Sequence, residues 1–145
     1  MKYLIKNKDG SVSIMNTVGG ATPEECLAKW HPSEKIKVES HRAVNDSEIP
    51  DDRYFRDAWS HKLDKIEVDM PKAMDIHLGR LREMRKPKLE ALDIESMRAI
   101  EEDDKDKQRQ IAADKKALRD VTISPDVLNA STPEELKNAV PSILR

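Results

Sequence analysis

At 145 residues the chain holds one ordinary domain or two very small ones, and its 37% apolar and 37% charged residues allow only a modest core. The 26 basic and 28 acidic residues nearly cancel to a net charge of -2, which argues against a general nucleic-acid binder, since that needs a basic excess to displace counterions from phosphates. The lone cysteine, Cys26, excludes an intrachain disulfide and a multi-cysteine zinc site, and no apolar run approaches the roughly 20 residues that span a bilayer.

The first 50 residues read as a small α+β module. In "KYLIKNKDGSVSIMNTV", Tyr3, Leu4 and Ile5 form one short strand, and Val12, Ile14 and Met15 belong to the next. Asp9-Gly10 between them is turn chemistry, because glycine accepts the positive φ of hairpin turns. "TPEECLAKW" carries a helix start: Thr22 as cap, Pro23 in the first helical position and Glu25 completing a capping box. Cys26, Leu27 and Trp30 follow at helical spacing, with Cys26 expected as a small core hydrophobe. "KIKVES" reads as a third strand in which Ile36 and Val38 alternate with charged residues, and "HRAV" extends it. Three short strands and a two-turn helix bury little by themselves.

Residues 51–70 read as a junction. It follows the turn-forming, acidic loop "NDSEIPDD". Of only five aromatic residues in the chain, Tyr54, Phe55 and Trp59 fall in "RYFRDAWS". On a helix Phe55 and Trp59, four apart, share a face. Two readings stand: the rings pack a seam between two thin elements, or they form a docking surface for another chain. "KIEVDM" reads as a short strand with Ile66 and Val68 on one face, after which Asp69 and Pro71 signal a helix start.

Residues 71–145 are strongly helical in composition. Met74, Leu78 and Leu81 make a stripe at spacings of four and three, and Ala91, Ile94, Met97 and Ile100 make another at steps of three. Pro87 is expected to kink or split the helix near Arg85. "EEDDKDK", Glu101 to Lys107, is apolar-free and suits a turn or a solvated bridge; beyond it Ile111, Ala112, Lys115 and Leu118 continue a narrower stripe. An antiparallel helical hairpin is the first expectation and one extended helix the second. Pro125 and Pro133 open two short helical pieces. Val127, Leu128, Leu136, Val140, Ile143 and Leu144 give this tail an apolar face that can lie back over the hairpin. The fold class expected is therefore α+β, a hairpin/helix/strand module followed by a helical hairpin with short C-terminal helices.

No residue pattern points to a catalytic, cofactor or metal site. The four histidines, His31, His41, His61 and His77, form no HxxxH or HExxH pair. Gly19-Gly20 precedes a helix start but lacks the lysine and spacing of a phosphate loop, and there is no GxSxG or Cys–His signature. "MKYLIKNKDG" is too short and polar for a signal peptide. The reading is a non-enzyme without cofactors that works through protein contacts. Its thin stripes invite self-association, and the expected interface residues are Tyr54, Phe55, Trp59, Met74, Leu78 and Leu81.

From the aromatic window onward, the pattern "FRDAW…KIEVDMPKAMDIH…PKLEALDIESMRA…IAADKKALRDVT…TPEELKNAVP" resembles small accessory proteins of tailed bacteriophages, similar to tail-fibre assembly and tail assembly chaperone proteins. Trp59, Pro71, Leu118, Arg119 and Asp120 carry the match, which covers about the last two thirds of the chain. The resemblance implies a virion location after synthesis in the host cytoplasm. The implied partners are other tail, fibre or spike proteins, with neither nucleic acid nor membrane. A structural part of the particle and a transient assembly chaperone both fit it.

Overall fold

The computed structural model describes all 145 residues. The chain divides into two compact units, Met1–Asp69 and Met70–Arg145, so all but the last residue of the stretch read as a junction belongs to the first unit. The fold is α+β, as the sequence indicates.

The first unit is built on a three-stranded antiparallel sheet of β1 (Lys2–Asn7), β2 (Val12–Asn16) and β3 (Val38–Ala43) in the order β2-β1-β3. Gly10, at φ 83°, closes the β1–β2 turn, and the Asp9 carboxylate accepts from the Ser11 amide at 2.9 Å and hydroxyl at 2.6 Å. Helix α1 (Pro23–Ala28) has the full capping box: Thr22 Oγ1 accepts from the Glu25 amide at 3.2 Å, and Glu25 Oε2 accepts from the Thr22 amide at 2.9 Å. A one-turn helix α2 (Pro32–Lys35), capped by His31, follows and was not foreseen. It delays the third strand, so Ile36 is 68% exposed at the end of α2 instead of alternating within β3.

Alternation along the strands gives the sheet two faces. Leu4 pairs with Ile14, and Lys6 with Val12, on one face. Here Leu4, Val12, Val44, Ile49, Trp59 and Ile66 form a buried cluster, with Ile14 and Val68 packed against it. Ile5 and Met15 are buried on the other face, where His41 Nε2 stands 3.4 Å from Glu24 of α1.

The aromatic window is not a helix. Tyr54 and Phe55 lie in a turn, Arg56–Ala58 form a short 3-10 turn, and Trp59 opens strand β4 (Trp59–Lys62). β4 pairs antiparallel with β5 (Lys65–Val68) and joins the sheet through a bridge between Ser11 and Ser60. The β4–β5 turn has two residues, Leu63 at φ 46° and Asp64 at φ 62°. That is the left-handed pair a tight twisted hairpin requires.

The second unit is an antiparallel helical hairpin. Helix α3 runs unbroken from Met70 to Glu101, through Pro87. The expected split is absent. Pro87 and Glu83, whose carbonyl loses its helical donor, are both exposed, so the freed oxygen lies where solvent can reach it. The acidic run makes the turn. Asp103 takes φ 54°, the Asp104 amide donates to Ala99 O at 2.9 Å and the Asp103 amide to Ile100 O at 3.1 Å, a Schellman closure with Asp in the usual glycine position. The Asp104 carboxylate then caps α4 (Lys105–Arg119) through the Lys107 amide at 3.0 Å.

Ala73, His77, Leu81 and Ala99 form the buried side of α3, and Ile111 and Leu118 that of α4. Lys115 of α4 reaches Asp93 of α3 at 2.6 Å, and Arg85 Nη1 donates to Arg119 O at 2.8 Å, at the C-terminus of α4 where a cation is favoured. The tail folds back as the sequence indicates. Helices α5 (Pro125–Leu128) and α6 (Pro133–Asn138) bury Val127 and Leu136, while Leu144 is buried near the end; Leu128, 55% exposed, is the member that faces out. His77, 1% exposed, holds the tail through a 2.9 Å hydrogen bond between Nε2 and Ala139 O.

Candidate interaction surfaces

The structure divides the six expected interface residues into two classes. Phe55, Trp59 and Leu81 are buried, so no partner touches them while the fold is closed; Tyr54, Met74 and Leu78 are half-buried. Trp59 is core, packed with Leu4, Val12 and Ile66. Tyr54 stands edge-on to Phe55 with ring centroids 4.8 Å apart. Packing therefore accounts for the cluster of rings, with Trp59 tying β4 to the sheet.

The exposed apolar surface lies elsewhere. Ile94, Met97 and Ile100 on α3 are 56%, 65% and 62% exposed. The stripe is built of steps of three, and each such step turns about 60° back around a helix of 3.6 residues per turn. These residues consequently wind away from the side of Leu81 and Ala99, which are 18 positions, or about five whole turns, apart and share one face. Their exposure was legible from this arithmetic.

The first unit holds an open wedge. At the two ends of β2 the Thr17 amide donates to Met1 O, and Ser11 O accepts from the Asn7 amide. Odd-numbered residues of β2 thus bond to β1, and Ile14 and Asn16 turn their peptide groups toward the outer edge. After the Ser11–Ser60 bridge the segment 53–59 splays from this edge and leaves a cavity of about 210 Å³. Its walls are Lys2, Val12, Ser13, Ile14 and Asn16 on one side and Arg53, Arg56, Asp57 and Trp59 on the other. Lys2 pairs with Asp46, and Arg56 stands 3.6 Å from Asp57. Arg53 has no carboxylate partner, and the Trp59 indole Nε1, on a side chain only 5% exposed, has no acceptor.

The titratable groups are dispersed. No three of the His, Cys, Asp and Glu side chains converge as metal ligands would. His31 caps α2, His41 meets Glu24, His61 Nε2 lies 4.0 Å from Asp64, and His77 binds the tail. Cys26 is half-buried and unpaired. Two carboxyls sit below the usual range. Glu48 is lowered first by the Asn45 amide at 2.8 Å and then by the Arg42 guanidinium at 2.9 Å. Glu135 is lowered by the amide and the hydroxyl of Ser131, at 2.8 and 2.9 Å. Both are local caps. No helix of the chain is long and apolar enough to cross a membrane.

Compared with known proteins, the chain matches no family model, no curated protein and no solved structure.

Proposed function

We propose that the protein is a non-enzymatic structural or adaptor component of a tailed-bacteriophage tail, fibre or spike, acting through protein–protein contacts. The observation that carries the contact role is the outer face of α3, where Ile94, Met97 and Ile100 are each more than half exposed. Support for the tailed-phage setting comes from the residues around Trp59, Pro71 and Leu118–Asp120 that resemble phage tail accessory proteins.

Burying an aliphatic side chain fully is worth about 1.5–3 kcal/mol. At the exposures seen, three residues from each of two copies contribute roughly 5–11 kcal/mol, against roughly 4–15 kcal/mol for association itself. One such contact is marginal, which suits a subunit held by several neighbours in a particle. The same marginality favours a second reading, a transient assembly chaperone that must let go.

The test is light scattering on a size column, with the parent chain beside Ile94→Lys, followed by mass spectrometry of purified particles. An oligomer that Ile94→Lys reduces to monomer, together with the protein in finished particles, supports the structural part. A folded parent monomer that is absent from finished particles supports the chaperone. Absence from particles sinks the structural part, and an oligomer that Ile94→Lys leaves intact sinks the contact role of this face.

A further inference from the structure

We propose that the wedge between the outer edge of β2 and the segment 53–59 binds an extended acidic strand of a partner protein. The strand would add to the sheet beside Ile14 and Asn16 and place a carboxylate side chain at Arg53. The inference stands apart from the tail-component reading, since it concerns the first unit and holds whatever particle or complex the partner belongs to.

Three observations carry it. The edge is open: Ile14 and Asn16 present peptide groups that β1 does not use, and a free antiparallel edge is a template for one more strand. The wedge carries one uncompensated cation: Lys2 is paired with Asp46 and Arg56 stands beside Asp57, which leaves Arg53 alone without a carboxylate. One wall holds an unpaired donor: Trp59 is 95% enclosed, and its indole N–H, itself shut from solvent, donates to nothing in the free protein. At about 210 Å³ the cavity is below the ~300–1,000 Å³ of small-molecule sites and matches one side chain entering from a bound strand. A bidentate guanidinium–carboxylate pair at Arg53 supplies specificity, and main-chain pairing supplies affinity.

The probe is an acetylated, amidated heptapeptide of alternating Glu and Val, titrated into isotope-labelled full-length protein and followed by amide and indole NMR shifts. The expected result is saturable shifts at Ile14, Asn16 and the Trp59 indole N–H. Binding should weaken at least tenfold in Arg53→Glu and with a Lys/Val peptide. It should also be lost when alternate peptide amides are N-methylated, a change that leaves the protein untouched. Four outcomes overturn the proposal: no saturable shift at millimolar peptide; shifts centred away from β2; equal shifts with sodium acetate, which would mean a simple anion site; or the same shifts on raising protein concentration alone, which would mean a second copy occupies the edge.

Discussion

Leu63 offers the sharpest test of the first unit. It is 98% exposed and holds φ 46° at the tip of the β4–β5 turn, with Asp64 beside it at φ 62°. A left-handed conformation costs an L-residue with a bulky side chain about 1–2 kcal/mol, whereas asparagine tolerates it and leads the two-residue turns of this kind. Because Leu63 buries nothing, Leu63→Asn gives up no packing and should stabilise the unit by about 1 kcal/mol. Leu63→Gly should gain less, since glycine adds roughly 0.5–1 kcal/mol of unfolded-state entropy. Both tryptophans, Trp30 and Trp59, lie within Met1–Asp69, so their emission reports this unit alone. In urea the midpoint should rise by about 0.5–1 M at constant slope. A midpoint that stays or falls would show that Leu63 makes contacts its exposure denies, and the strain argument would be wrong.

The remaining predictions concern the helices and the caps. Pro87→Ala restores a hydrogen bond in an exposed helix interior and should stabilise the second unit by about 1–3 kcal/mol, read as a higher melting temperature in the 222 nm signal. Leu81→Ala empties a fully buried position of α3 and should cost about 2–5 kcal/mol by the same melt, an effect a surface residue would not show. Glu48 and Glu135 have folded pKa values below their unfolded ones, so their contribution is present above the unfolded value and fades as pH falls through the folded one. Melts from pH 6 to 3 should therefore fall more steeply for the parent than for Glu48→Gln with Glu135→Gln; parallel curves would refute the assignment.

Local chemistry made much of the fold readable. The Thr22 capping box, the Asp9-Gly10 turn and the prolines at 23, 125 and 133 each act within a few residues, and all appear as the sequence indicates. One spacing can serve two periods. Phe55 and Trp59 are four apart, which fits a helix, yet Trp59 is fixed by its pairing with Val68, a partner the window itself does not contain. Of the kink or split expected at Pro87, the split is absent, because propensity is local whereas α3 is also held by α4 and the tail. The α3 stripe at steps of three lies exposed, because such steps drift around the axis away from the side of Leu81 and Ala99. The wedge was not legible, because it exists only where β2 and the segment after Asp52 diverge in space.

The bond between His77 and Ala139 also sets a clock. Its partners are 62 positions apart, and a ribosome adds roughly 5–20 residues per second. For about 3–12 s after His77 is made, the carbonyl that will close over it does not exist. Until Ala139 is made, the inner side of α3 lacks the tail that covers it in the folded unit. A nascent chain of this design has a window in which to meet a companion before it seals itself, and slowing translation after residue 100 would widen it.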